Sequence, residues 1–148
     1  MRLWHVDLIP VLPSEQLIGQ WRELHAIKAY IDKNGKLVHP LVRKVLDYGI
    51  LDFKVYTIKV YDELKFRGYH LNREKLNSIL CWSSPCFPKP PVVQDPSVYS
   101  AWHNLRYLKQ CYYNLEEKHD CGMINNYEWD RLTRYYQELI KAQDKTIG

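Results

Sequence analysis

The chain contains 148 residues, a length that ordinarily forms one domain, so we expect residues 1–148 to fold as a single unit. Hydrophobic residues make up 46% and charged residues 26% of the chain, which excludes a disordered or collagen-like protein. The net charge of +4 arises in the first half, because residues 1–75 hold 13 Lys and Arg against 9 Asp and Glu, whereas residues 76–148 hold 8 of each kind. An excess this small points only weakly to a polyanionic partner.

The sequence carries no sign of export or membrane insertion. Its first ten residues, MRLWHVDLIP, include charges and a proline in place of the apolar run of a signal peptide. No segment approaches the roughly 18 consecutive apolar residues of a membrane-spanning helix. The four cysteines (Cys81, Cys86, Cys111 and Cys121) lack the spacing of a zinc site. We therefore expect a cytoplasmic, monomeric protein with reduced thiols, no membrane contact, and no metal ion or other cofactor.

The N-terminal segment predicts an arm followed by a helix. Pro10 and Pro13 favour an extended arm that ends at Ser14, a typical N-cap residue. Over residues 17–31 the apolar side chains recur every three or four positions, which is the period of one buried helical face. The dipeptide Asn34-Gly35 predicts the end of this first helix.

Shorter elements follow the first helix. Apolar periodicity predicts a brief helical piece over residues 41–46 and a longer helix over residues 50–64, which Gly68 terminates. Asn72 is placed to cap a further short helix that runs through residue 80.

The second half begins with residues 81–96, whose five prolines predict a long irregular crossing rather than a helix or a central strand. Asp95-Pro96 then starts a helix that continues to residue 115 and is stopped by Gly122. Asn125 and Glu128 form a capping box for the last helix. Since no alternating strand is present, the sequence predicts an all-α bundle of about five to six helices, with an extended N-terminal arm and a long proline-rich loop.

The first helix contains an arginine–glutamate pair that its buried face does not explain. Glu23 stands beside Arg22 on the flank of the apolar stripe, with Gly19 one turn before it and Ala26 about one turn after it. Glycine inside a helix costs about 1 kcal/mol relative to alanine, which suggests a close approach to the backbone there. Small residues on both sides of a carboxylate leave an open shelf for a ligand. The alternative is a surface ion pair, with Gly19 admitting a neighbouring helix.

The N-terminus is a second candidate for chemistry. Arg2 is bulky and is expected to block removal of the initiator methionine, so that the chain begins with the free amine of Met1. An α-amine has a pKa of about 7.7–8.0, against about 10.4 for lysine, and part of it is therefore an unprotonated nucleophile at neutral pH. Such amines form Schiff bases with carbonyl and sugar carbons.

Several runs of this sequence resemble a known family of DNA repair enzymes. The run SEQLIGQWREL is similar to the first helix of the pyrimidine dimer DNA glycosylases of the phage endonuclease V type, which also carries an aromatic residue followed by Arg-Glu-Leu. The run LDFKVYTIKVYDELKFRGYHLN resembles that family's middle helix, and the opening MRLWH resembles its short bacterial members. The resemblance covers about residues 1–72 and is most specific from Trp21 to Leu24.

The resemblance implies a compact helical glycosylase with AP-lyase activity, which bends damaged double-stranded DNA and displaces a nucleotide. In such enzymes the N-terminal amine attacks C1′ of the damaged nucleotide, and the resulting Schiff base allows strand cleavage by β-elimination. Carried over to this chain, Met1 supplies the amine, and Glu23 supplies the essential carboxylate that stabilises the cationic sugar or moves protons. Arg2 and Arg22 are then expected to contact phosphate groups.

The carry-over at the N-terminus depends on the alignment. In the phage enzyme the processed chain begins with threonine and then arginine. A gapless alignment anchored at Arg22-Glu23 puts Arg2 at the threonine position, whereas one inserted residue in the arm matches Met1 to the threonine and Arg2 to the arginine. We prefer the second alignment, because it leaves a terminal amine next to an arginine. The family's basic residue one turn beyond the glutamate is missing, and His25 and Lys28 are its nearest substitutes.

Gln16 joins the predicted DNA contacts, and Trp4 and His5 are predicted to line a pocket near the terminal amine. A non-catalytic helical DNA-binding or interaction module that retains the family fold is the alternative function. A metal-assisted hydrolase that uses His119 and Cys121 gains no support from their spacing.

Overall fold

The computed structural model describes residues 1–89 and 97–147. Within these ranges it contains five α-helices and two short 3-10 helices. The α-helices are α1 (Ser14–Asn34), α2 (Ile50–Phe66), α3 (Arg73–Leu80), α4 (Leu105–Asp120) and α5 (Asn126–Ile147), and the 3-10 helices span Val6–Val11 and Arg43–Asp47. Because the described residues form no β-strand, the prediction of an all-α fold is confirmed.

Helices α1 and α2 pack against each other in antiparallel directions. In the second turn of α1, Gln20 contacts Tyr56 of α2, whereas Arg67 at the far end of α2 reaches the carbonyl of Leu12 just before α1. Each helix buries apolar residues spaced three or four positions apart, as the sequence periodicity predicts. The buried residues shared by this pair are Leu17, Trp21, Leu24, Ile27, Ile31, Phe53, Val60 and Leu64.

The N-terminal segment belongs to the core. Residues 6–11 form a 3-10 helix, so the prediction of an extended arm is wrong over these residues. Leu3, Leu8 and Leu12 are only 0–1% exposed. Burial of such side chains stabilises a protein by about 1.5–3 kcal/mol each, and coiling the segment onto α1 and α2 buries more of them than an extended arm could.

A half-buried arginine fastens this segment to α2. The guanidinium of Arg67 donates hydrogen bonds to the carbonyls of Leu12 at 2.7 Å and Pro10 at 3.2 Å, and it forms an ion pair with Glu63 at 2.9 Å. Carbonyls near the end of a 3-10 helix have no partner in the helix itself. Arg67 therefore satisfies acceptors that folding would otherwise leave unpaired.

Most helix ends follow the signals in the sequence. Gly35 and Gly68, which end α1 and α2, have φ angles of 68° and 94°, in the region that glycine enters without strain. Asn72 caps α3 with its side chain. Asn125 Oδ1 accepts the N–H of Glu128 at 2.8 Å, which confirms Asn125 as the cap, while the Glu128 carboxylate accepts from Asn125 Nδ2 at 2.9 Å in place of the backbone N–H of a regular capping box.

The start of α1 differs from the prediction. The helix begins at Ser14 itself, and Pro13 occupies the N-cap position without a side-chain hydrogen bond. The N–H of Ser14 instead donates to the carboxylate of Glu128 at 2.7 Å. A tertiary contact with α5 thus replaces the expected local cap, and the prediction of Ser14 as N-cap is wrong.

The start of α4 also differs from the prediction. Asn104 caps this helix, whereas the predicted start at Asp95-Pro96 lies outside the described residues. Residues 97–103 form turns rather than helix. Tyr99 has a φ of 53°, and its ring packs against those of Trp102 and His103, with centroids 5.0 and 5.3 Å away. Packing these rings into the core overrides the helical periodicity of the segment.

Residues 82–89 of the predicted proline-rich loop contain no helix, and residues 90–96 lie outside the described residues. None of the described helices is long and apolar enough to cross a lipid bilayer.

Candidate active site at the N-terminus

The side-chain amide of Gln20 binds the backbone of the first residues of the chain. Gln20 lies on the core side of α1 and is 0% exposed. Its Oε1 accepts the N–H of Trp4 at 2.8 Å, and its Nε2 donates to the carbonyl of Arg2 at 3.0 Å. A carboxamide offers a donor and an acceptor side by side, as a peptide group does, so Gln20 pairs with this segment much as a neighbouring strand would. The backbone of residues 2–4 is thereby held against α1.

Two tyrosine hydroxyls bind the same segment from other helices. The hydroxyl of Tyr56 on α2 lies 2.6 Å from the carbonyl of Trp4 and 3.0 Å from Gln20 Oε1. The hydroxyl of Tyr107 on α4 donates to the carbonyl of Leu3 at 2.5 Å. Burial raises the pKa of both tyrosines above its ordinary value, so both remain neutral donors. Three helices therefore contribute to the position of the chain terminus.

Glu23 lies beside this anchored terminus. Its Oε2 is 3.4 Å from Gln20 Nε2, one turn earlier on α1. Partial burial raises the pKa of the Glu23 carboxyl above its ordinary value of 4.5. The positive terminal amine, a hydrogen bond from the Arg2 backbone, and the charges of His39 and Arg2 oppose this rise without cancelling it. A carboxyl group with a raised pKa next to an amine is suited to accept a proton and return it.

The flank of α1 around Glu23 is open. A Cβ placed on Gly19 would meet none of the described atoms within 4 Å, so Gly19 does not admit a neighbouring helix, and that explanation of the glycine is wrong. Ala26 is exposed on the same flank. Gln16 lies two turns before Glu23 on nearly the same face, but its Oε1 is buried, has no hydrogen-bond partner among the described residues and does not face solvent. This flank has room for a ligand.

The two arginines predicted to contact phosphate differ in their surroundings. Arg2 is half-buried, and its guanidinium lies 5.1 Å from the centre of the Trp4 indole. Burial raises the pKa of the Cys111 thiol, and the charge of Arg2 opposes this rise without cancelling it, so Cys111 stays neutral. Arg22 is exposed on the solvent side of α1 next to Glu23. Arg22 is therefore the freer of the two for contact with a ligand, whereas Arg2 is partly held by its own neighbours.

His25 and Lys28 lie on the other flank of α1, away from Glu23. Residues two positions apart project to nearly opposite sides of a helix, so His25 does not face Glu23. The ring of His25 meets the edge of Trp21 at 4.5 Å between centroids, and burial lowers the His25 pKa, with smaller contributions from the charges of Lys75 and Lys28. Lys28 forms an ion pair with an aspartate one turn later at 2.9 Å. The structure does not bring these two predicted contacts to the carboxylate.

Trp4 and His5 lie in the core, with exposures of 6% and 2%, rather than on an open surface. The Nδ1 of His5 accepts the N–H of Asp7 at 3.1 Å, and its ring lies 5.2 Å from that of His103. Burial lowers the pKa of His5 and, with a smaller contribution from the neighbouring His5, lowers that of His103 to about 2. Both histidines are therefore neutral parts of the packing around the N-terminal segment.

No group of three or more His, Cys, Asp or Glu side chains in the described part of the chain is arranged to hold a metal ion. His119 hydrogen-bonds Asn126 at 2.9 Å and stacks on Trp129 with ring centroids 4.9 Å apart. The Cys121 thiol is exposed.

No sequence motif singles out Gln20, Tyr56, Tyr107 or His39 as functional. Gln20 does carry a signal, because it is an uncharged polar residue within the predicted buried stripe between Leu17 and Leu24, and buried polar groups need partners. Tyr107 lies 104 positions from the carbonyl that it binds, a pairing that local pattern cannot indicate.

Comparison with protein families bears on this arrangement. The family model described as pyrimidine dimer DNA glycosylase matches residues 1–77, just over half of the 148-residue chain. The protein therefore belongs to the pyrimidine dimer DNA glycosylase family, a family of DNA repair enzymes whose substrate is DNA. The matched segment contains the terminal amine, Gln20 and Glu23. A search of curated proteins and a search of solved structures returned no match.

Replacing Gln20 with leucine is expected to release the terminus. The change keeps the approximate volume but leaves the Trp4 N–H and the Arg2 carbonyl without their partner, so we expect the free energy of unfolding to fall by about 2–4 kcal/mol. We also expect faster hydrogen exchange at the Trp4 amide. Urea denaturation and native-state exchange measure the two effects. Gln137→Leu, an exposed change on α5, is the control and should leave both nearly unchanged.

Glu23→Gln is expected to stabilise the protein at neutral pH. Because the folded-state pKa of Glu23 is raised, its stabilising contribution is complete below the unfolded value and is lost as the pH rises through the folded pKa. The side chain of the glutamine variant does not ionise, so the variant does not lose this stability as the pH rises. Urea unfolding at pH 7 and near pH 4 should therefore show a gain for the variant at pH 7 that disappears in acid. If the stability difference between the variant and the wild type were the same at both pH values, the raised pKa of Glu23 would be contradicted.

Proposed function

We propose that this protein is a glycosylase and AP lyase that acts on damaged or abasic duplex DNA through a Schiff base on the α-amine of Met1. Membership of the family supports DNA repair glycosylase chemistry in general. The observation that carries the finer proposal is the Gln20 pairing, which holds the chain terminus beside the partly buried carboxyl of Glu23. The expected substrate is double-stranded DNA that contains a pyrimidine dimer, other base damage or an abasic site.

The proposed chemistry begins at the terminal amine. The unprotonated amine attacks C1′ of the damaged nucleotide and displaces its base, after which the C1′–O4′ bond breaks, O4′ takes up a proton and the sugar ring opens to an imine. At an abasic site the amine instead adds to the aldehyde of the open sugar and loses water, which gives the same imine. Removal of a proton from C2′ then breaks the C3′–O bond, and the 3′ phosphate leaves. No cofactor takes part in this scheme.

Glu23 has two roles in the proposal. As a carboxylate it stabilises the cationic sugar and accepts protons, and as an acid it returns them during loss of water. Its raised pKa places the carboxyl closer to neutral pH, where both forms are accessible, than that of an ordinary glutamate. Arg22, exposed beside it, is expected to hold a phosphate of the bound strand.

The proposed nucleophile is tested by trapping the imine with borohydride on an abasic duplex. We expect a covalent protein–DNA adduct that peptide mapping assigns to residue 1. Acetylation of the terminus or an uncleaved N-terminal tag should abolish the adduct, whereas a C-terminal tag should have no effect.

Two outcomes would contradict this assignment. An adduct on an internal lysine would overturn Met1 as the nucleophile while leaving lyase activity in place. Absence of any adduct, combined with binding to the same duplex, would favour a non-catalytic DNA-binding module.

Glu23→Gln is expected to reduce strand cleavage by about 100-fold or more while leaving affinity for the duplex within a few-fold, because the change removes proton transfer but keeps shape. Single-turnover cleavage and a binding titration on an unreactive abasic analogue separate the two effects. Glu15→Gln, an exposed glutamate in the first turn of α1, is the matched control. A Glu23→Gln protein that cleaves at the wild-type rate would remove Glu23 from the mechanism.

A further inference from the structure

A groove beside the N-terminal site is lined by cations. A cavity of about 350 Å³ lies between the segment that includes Leu41 and Lys44 and the first turn of α4, where Arg106 lines it. A second depression of about 400 Å³ continues from Arg106 along α4 to Lys109 and Tyr113. Arg106 lines both, so the two form one continuous surface, which we call the basic groove.

Every charged side chain that lines the basic groove is positive. These are Lys44, Arg106 and Lys109, all exposed, and none of them forms an ion pair with a described residue. The cavity between the N-terminal segment and α5 differs, because Asp130 and Glu138 accompany its arginines. The uniform charge is therefore a property of this groove and not of every depression on the protein.

Both walls of the basic groove adjoin the candidate active site. On one wall, Tyr107 follows Arg106 directly and donates its hydroxyl to the carbonyl of Leu3. On the other wall, His39 immediately precedes the lining segment and is close enough to Glu23 for its charge to act on that carboxyl. The groove thus begins next to the N-terminal segment and the surroundings of Glu23.

We propose that the basic groove binds the sugar–phosphate backbone of duplex DNA next to the nucleotide held at Glu23, with Lys44, Arg106 and Lys109 each contacting a phosphate. The inference rests on the proposed function. Three unpaired cations along a groove complement a chain of phosphates, and the exposed ring of Tyr113 (58%) can pack on a sugar or base at its end. Arg106 and Lys109 lie outside the family-matched segment, so the second half of the chain supplies much of this contact. The groove takes the role predicted for His25 and Lys28, which face away.

The test is salt-dependent binding of a duplex that carries an unreactive abasic analogue. The triple variant Lys44→Gln, Arg106→Gln, Lys109→Gln removes only exposed charges, so it should fold normally. We expect the slope of log affinity against log salt to become shallower by about 2.7, that is, about 0.9 per phosphate contact. The ratio of wild-type to variant affinity should then be about 40-fold smaller at 200 mM salt than at 50 mM salt. Borohydride trapping at saturating DNA should still label residue 1.

A control with the same loss of charge separates local contact from net charge. Lys118, Arg134 and Lys141 lie on the later part of α4 and on α5, and Lys118 is half a turn around the helix from Lys109. Their replacement by glutamine should change the slope far less. If both triple variants change the slope equally, the effect is one of net charge and the basic groove is not a DNA site.

An unchanged slope in the groove variant, with a trapped adduct in the wild type, overturns the inference that the basic groove binds DNA and leaves the proposed function standing. Groove-dependent binding without an adduct supports the groove and overturns the lyase proposal. No binding by the wild type overturns both. Unchanged duplex binding with lost affinity for polyglutamate assigns the groove to an acidic protein segment and overturns the inference.

Discussion

The pairing of the Gln20 carboxamide with the backbone of Arg2 and Trp4 fixes the position on which the rest of the site depends. The first residues of most domains are poorly ordered unless something ties them down. A terminal amine is useful as a reacting group only when that disorder has already been removed before a ligand binds. Here the Gln20 side chain is buried, so water does not compete for its hydrogen bonds, and the Tyr56 hydroxyl on α2 binds the same segment. The same side chain lies next to Glu23, so one turn of α1 positions both the backbone of the first residues and the carboxyl.

The site also shows why a folded protein retains an unfavourable group. The upward pKa shift of Glu23 means that folding opposes ionisation of this carboxyl, and the positive charges around it offset only part of that effect. A sequence selected for stability alone would place a neutral residue there. Tension between local stability and a reactive arrangement is common where residues perform chemistry.

Periodicity and capping signals predicted the helices well, because those signals act between residues that are close in the sequence. They failed where distant contacts decided the conformation. Residues 6–11 coil because their apolar side chains reach α1 and α2, and Ser14 is satisfied by Glu128 from α5. The candidate carboxylate could be located from the sequence, and helix geometry alone could have separated it from His25. The groove could not, since Lys44 and Arg106 are far apart in the sequence and meet only through the fold.

The binding of Leu3 by Tyr107 has a consequence for how the protein is made. The N-terminal segment leaves the ribosome first, yet its partners Tyr107 and Arg131 follow 104 and 121 positions after the carbonyls of Leu3 and Pro10 that they bind. At synthesis rates of about 5–20 residues per second, about 5–20 seconds pass between the synthesis of Leu3 and that of Tyr107, whose hydroxyl binds it. A chain that ended between residues 77 and 107 would contain every residue of the family-matched segment but would lack the Tyr107 hydroxyl that binds the carbonyl of Leu3. The contacts that hold the first residues are thus complete only after residue 131 has been added, well beyond the family-matched segment.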